Sequence, residues 1–129
     1  MLLNRLGIEV DIFDCYFFPQ KTFLNKRYDL ITCTEVFEHL KNPLETLILL
    51  ESLLNEDGVL AVTTLFHTTS NDFSKWWYRR DSTHICFYSP RTFKWIEEHF
   101  NFTIEVMDNS SICVLRKNRI QNTSKNIVG

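Results

Sequence analysis

Residues 28–64 read YDLITCTEVFEHLKNPLETLILLESLLNEDGVLAVTT, and the fold turns on this stretch. Tyr28 to Thr34 is apolar, rich in β-branched residues and free of breakers, which predicts a buried strand. Pro43 suits the first turn of a helix. Behind it Leu44, Leu47, Ile48, Leu50, Leu53 and Leu54 recur at helical spacing. The pattern stops near Asn55, Asp57-Gly58 predicts a turn, and Val59 to Leu65 reads as the next strand. Strands joined in this way through a helix predict a right-handed parallel βαβ unit.

Upstream, Leu2, Leu3 and Leu6 share a helical face, and Gly7 suits a left-handed C-cap. The expectation from this pattern is a chain that starts inside an element. Ile8 to Phe13 reads as a short strand with Asp14 at its C-terminal end. Cys15 to Arg27, aromatic and then basic, reads as a loop. Downstream, Phe66 to Tyr88 is a long polar and aromatic insertion of the kind that carries function. Ser89-Pro90 is a helix start, and Phe93, Ile96 and Phe100 give the following helix an apolar face. Phe102 to Met107 and Ser111 to Arg116 predict a hairpin about Asp108-Asn109. Residues 117–129 read as a polar tail. This order predicts an α/β fold, a Rossmann-like sheet flanked by helices and closed by a C-terminal antiparallel hairpin.

Composition narrows the function classes. A chain of 129 residues builds one core. Its 44% hydrophobic and 23% charged residues exclude a mostly disordered protein. A net charge of −2 argues against a general nucleic-acid binder. No apolar run reaches the roughly 18 residues of a membrane span, and the first residues lack the apolar stretch of a secretory signal. Cys15, Cys33, Cys86 and Cys113 are spread without a C-x-x-C pair, so free thiols in a reducing cytoplasm are expected.

Ligands of open α/β sheets bind at the C-terminal ends of the strands, and two acidic residues stand there. Asp14 could accept hydrogen bonds from both hydroxyls of a ribose, or be a solvated strand-end carboxylate. Glu35 opens Glu35-Val36-Phe37-Glu38-His39, two carboxylates and an imidazole within five residues. A helical turn there sets Glu35 beside Glu38 and His39. The trio could hold a divalent ion, orient His39 as a general base, or form a plain polar helix start. In the insertion, His67, Trp76, Trp77, Tyr78, Arg79, Arg80 and His84 offer stacking surface, positive charge and acid–base groups. Alternatively, the tryptophans pack on the core and the arginines are solvated. Zinc on Cys33, His39, His84 and Cys86 is disfavoured, because His84-x-Cys86 is too tight for the usual ligand spacing.

The run 28–64 resembles the second half of a class I S-adenosylmethionine-dependent methyltransferase. In that family a strand ending in an E-x-x-EH segment precedes a helix, a glycine turn and the next strand. Here Asn55-Glu56-Asp57-Gly58 fills the turn with one glycine. The run Trp76-Trp77-Tyr78-Arg79-Arg80-Asp81-Ser82-Thr83-His84 resembles the W-Y-R-x-D-x-T-H segment of a subgroup. The resemblance covers about residues 1–107.

That resemblance implies S-adenosyl-L-methionine as cofactor and a small-molecule acceptor. It matches Asp14 to the ribose-binding acid, and Thr34 and Glu35 to the wall of the cofactor pocket. Glu35, Glu38 and His39 match the magnesium set of ubiquinone-pathway O-methyltransferases. His39 or His84 would be the catalytic base, and Trp77, Tyr78, Arg79 and Arg80 would meet the substrate. The family's E/D-x-G-x-G-x-G loop is not in this sequence, whose lone early glycine is Gly7. The expectation is a partial methyltransferase domain over 1–116, with 66–88 as substrate lid and an incomplete sheet. A partner chain or a swapped element would complete that sheet. The competing expectation is a non-catalytic remnant or interaction subunit. A dehydrogenase half would itself need a glycine-rich turn.

Overall fold

Asn42 caps the central helix by accepting a hydrogen bond from the Glu45 N–H, and Pro43 takes the first turn. In the computed structural model, which describes residues 5–12, 22–67 and 76–120, this helix α1 spans Pro43–Leu53. It joins β1 (Tyr28–Thr34) to β2 (Leu54–Thr63), which pair in parallel with Cys33 opposite Val62 and Thr34 opposite Thr63. The expected βαβ unit is present.

Its turn is placed differently. β2 starts at Leu54, which pairs with Tyr28, and the ladder resumes only at Leu30 opposite Val59. Asn55 to Gly58 therefore form an irregularity inside the strand pairing. Asp57 takes a left-handed φ of 63°. A Cβ on Gly58 would lie 2.7 Å from the Asn55 carbonyl oxygen, so only glycine fits there.

Helix α2 (Pro90–His99) begins as expected, with Ser89 and Thr92 forming a reciprocal capping box. It buries Phe93 and Ile96. The chain then makes the hairpin of β3 (Phe102–Met107) and β4 (Ile112–Lys117), and β4 runs antiparallel to β2. The sheet order is β1-β2-β4-β3. One core joins Phe37, Leu47, Leu54, Leu60, Val62, Phe66, Phe93, Phe102 and Leu115.

Three expectations are corrected. Residues 8–12 form no strand. A strand needs a neighbour's backbone groups, and this segment is held by side chains instead. Lys26 pairs with Glu9 and Asp11, and the Tyr28 hydroxyl donates to Asp11 at 2.6 Å. Second, among the described residues β1 lies at the edge of the sheet, with Leu30 58% exposed and Cys33 its one buried residue. Third, order persists past residue 116. The Lys117 ammonium donates to the Glu51 and Leu54 carbonyls, and Asn118 bonds Asn101 and Thr103. Gly7 is left-handed, at φ 80°, as a C-cap requires. Phe13, Asp14, Cys15 and the 68–75 part of the insertion lie outside the described residues.

The hairpin turn yields a pH prediction. The Asp108 carboxylate accepts the N–H groups of Ser110, Ser111 and Ile112. Those donors, the Ile112 N–H first, hold its pKa below the usual carboxylate range. Its contribution is present above the unfolded value of about 3.9 and is lost as pH falls through the lower folded value. Asp108→Asn keeps an acceptor without the charge. The gap in unfolding midpoint between parent and variant should be widest near neutral pH and close in strong acid. A gap independent of pH would contradict the assignment.

Candidate functional site at the strand ends

Glu35 follows β1 with a φ of 53°, and its N–H donates to the Thr63 carbonyl at 2.9 Å. A left-handed non-glycine residue costs on the order of 1–2 kcal/mol, and such residues cluster at functional sites. After this kink the chain makes a single 3-10 turn, Phe37–His39, rather than a helical turn over all of Glu35 to His39. The turn buries Phe37 and Glu38 fully and leaves His39 at the surface.

The second half of the insertion docks on that turn. The Glu38 carbonyl accepts both the Ile85 N–H (2.8 Å) and the Cys86 N–H (3.0 Å). The Tyr88 hydroxyl donates to the Phe37 carbonyl at 3.0 Å, and the Cys86 thiol donates to the Leu40 carbonyl. Phe66 and Tyr88 form a parallel bridge, with the His67 N–H donating to the Tyr88 carbonyl.

Side chains then converge. The Thr64 hydroxyl donates to Glu38 Oε2 at 2.7 Å, and the Tyr78 hydroxyl donates to Glu35 Oε2 at 2.9 Å. Glu38 Oε1 is buried with no hydrogen-bond partner among the described residues, and His39 Nε2 stands 3.6 Å from it. His39 Nδ1 lies 2.9 Å from the Thr83 carbonyl oxygen, and His84 Nδ1 lies 2.7 Å from that of Tyr78. A carbonyl only accepts, so each neutral ring carries its hydrogen on Nδ1 and keeps a lone pair on Nε2. The two rings meet edge to face at 5.0 Å.

Burial raises the Glu35 pKa, the neighbouring Glu38 carboxyl raises it further, and the Tyr78 hydrogen bond pulls it back. Burial also pushes up the Tyr78 hydroxyl. The Cys33 thiol is pushed up to about 11 by burial, which leaves it inert as a nucleophile.

Of the residues singled out from sequence, Thr34 and Glu35 sit at the end of β1, and Glu38, His39 and His84 come together. Trp77, Arg79 and Arg80 lie exposed on the 3-10 turn Trp77–Arg80. Tyr78 on the same turn is 3% exposed, with its hydroxyl inside the acidic cluster. Trp76 packs on the core. Asp14 lies outside the described residues.

Of the expected magnesium set, Glu38 and His39 come together with His84. One candidate ligand atom from each of Glu38, His39 and His84 lies within 4.8 Å of the others, and Glu35 is outside this group, bonded to Tyr78. Magnesium favours oxygen ligands in a near-octahedral shell, and two imidazoles with one carboxylate do not fit it. Thr64 was missed as a site residue. Its signal was a hydroxyl in the last positions of an apolar strand run.

The Glu35 environment gives the next prediction. Its raised folded value means that its ionisation destabilises the fold as pH rises through that value. Glu35→Gln should therefore stabilise the protein at neutral pH and lose that advantage below the unfolded carboxyl value. Tyr78→Phe deletes the hydrogen bond that lowers the Glu35 pKa. A carbon-13 carboxyl titration should then find Glu35 higher than in the parent. An unchanged or lower value would refute the contact.

Comparison with known proteins now bears on this geometry. A family described as a methyltransferase domain matches residues 2–106. Over 43 residues the chain is 42% identical to the ubiquinone biosynthesis O-methyltransferase of Glaesserella parasuis serovar 5 (strain SH0165). That stretch is 33% of this chain and 18% of the relative, so only a small part of the relative's length is matched. The matched fold, with its strand-end acid and its mixed sheet flanked by helices, is that of a class I methyltransferase domain, and the chain belongs to the methyltransferase-domain family.

Proposed function

We propose that the chain takes part in S-adenosylmethionine-dependent methyl transfer to a hydroxyl of a small molecule. The observation that carries this reading is the convergence of Glu35, at the C-terminal end of β1, with the docked segment 76–88 in a chain of this family. The donor supplies an electrophilic methyl on a sulfonium. The acceptor oxygen forms the new bond to carbon, the carbon–sulfur bond breaks, and the sulfide leaves neutral. The protein's task is mainly alignment and removal of the hydroxyl proton.

His39 Nε2, on a half-exposed side chain with its lone pair fixed, is the atom that takes this proton. His84 holds the same tautomer beside it. Thr34 and Glu35 wall the donor, and Asp14 binds its ribose. Trp77 offers an aromatic face to the acceptor, with Arg79 and Arg80 supplying positive charge. The described thiols Cys33, Cys86 and Cys113 are free, which suits a reducing cytoplasm. No described helix is long and apolar enough to cross a membrane.

A second reading has its own observation. Leu30 on the edge strand and Leu44, Ile48 and Leu49 on α1 are all exposed. Contiguous exposed apolar surface marks interaction sites, and a partner strand added beside β1 would cover Leu30. Under that reading the chain is an interaction subunit.

Titration of the folded chain with S-adenosylhomocysteine decides between them. The enzymatic reading expects micromolar binding, weakened at least about tenfold by Asp14→Ala, the loss of a charge-assisted hydrogen bond. A folded, self-associated chain that gives no heat would overturn it in favour of the interaction subunit.

A further inference from the structure

Glu38 Oε1 is the feature that hydroxyl methylation does not use. It is a carboxylate oxygen with no accessible surface and no hydrogen-bond partner among the described residues, on a side chain whose other oxygen is taken by Thr64. Such an atom is costly to bury without a partner, and a bound cation would satisfy it. One candidate ligand atom from each of Glu38, His39 and His84 lies within 4.8 Å of the others, and His39 Nε2 stands 3.6 Å from Glu38 Oε1. Both rings already have the outer-shell contact typical of metal ligands, an Nδ1–H on a backbone carbonyl that orients the ring and leaves Nε2 to bind.

We propose that Glu38, His39 and His84 form a site for a zinc-class divalent cation. The donor set decides the ion. Two imidazoles and one carboxylate suit zinc or a neighbouring first-row metal, whereas magnesium and calcium favour oxygen shells. Tetrahedral zinc with bonds of about 2.0–2.1 Å spaces its ligands about 3.4 Å apart. The His39–Glu38 separation of 3.6 Å is already close to that. Three protein ligands leave a fourth position, and the Asp81 carboxylate lies beside the site, 3.6 Å from His84 Nε2. The ion would clamp the strand-end turn to the docked segment, because His39 belongs to the first and His84 to the second.

One consequence rests on the methyl-transfer reading. A bound ion occupies the Nε2 lone pairs, so neither imidazole can then take the acceptor's proton. Zinc-class ions would in that case silence the base.

Cobalt(II) titration of the metal-free full chain tests the site, because four-coordinate cobalt absorbs visibly. The expected result is one equivalent bound, displaced by zinc and not by excess magnesium. His39→Ala and His84→Ala should each weaken binding about a hundredfold or more, since even outer-shell losses cost ten- to a hundredfold. His39 is half exposed, so its variant keeps the fold even if His84→Ala does not. Glu38→Gln preserves the Thr64 contact and should also weaken binding, while Glu35→Gln should not. No stoichiometric binding, displacement by magnesium, or equal binding by His39→Ala would overturn the proposal. The titration uses neither methyl donor nor acceptor, so its failure leaves the methyl-transfer reading intact, and failure of the S-adenosylhomocysteine titration leaves the cation site intact.

Discussion

Burying a carboxylate is unfavourable unless its oxygens find partners, and the candidate site is organised around that constraint at Glu38. The backbone carbonyl of this residue takes two N–H groups from the distant segment at Ile85 and Cys86. One side-chain oxygen takes the Thr64 hydroxyl at the end of β2. A single residue thus ties together the turn after β1, the end of β2 and the segment before α2. The flanking contacts from Tyr88 to Phe37 and from Cys86 to Leu40 reinforce that junction.

The kink at Glu35 makes this arrangement possible. A left-handed residue directly after β1 turns the chain off the sheet, so Phe37 enters the core while Glu35 itself stays at the strand end. Tyr78 then reaches Glu35 from the opposite segment. Two acids three residues apart are consequently held by hydroxyls from two other places in the chain. The histidines follow passively, each fixed by a carbonyl of the docked segment.

Local chemistry was legible in the sequence. The periodic leucines of α1, the Ser89-Pro90 start of α2 and the Asp108-Asn109 hairpin each rest on residues within one turn of each other, and each is present. What depended on long-range pairing was not legible. Residues 8–12 have the composition of a strand and no ladder, and β1 looks buried by composition yet lies at the sheet edge. At the site, Glu35 and Glu38 could be singled out by type. That Tyr78 turns inward while Trp77 beside it faces out is a packing outcome that no spacing rule encodes. Likewise His84 joins Glu38 and His39 only because the insertion folds back onto the strand ends.

The junction at Glu38 joins the strand ends to the docked segment, and amide hydrogen exchange reads it directly. The Ile85 and Cys86 amides should exchange only when the whole domain opens, with the protection of core β2 and β4 amides such as Val62 and Leu115. Exchange of these two amides by local fluctuation, at the rate of exposed loop positions such as Arg80, would show that the segment is not docked on Glu38 and would contradict the account.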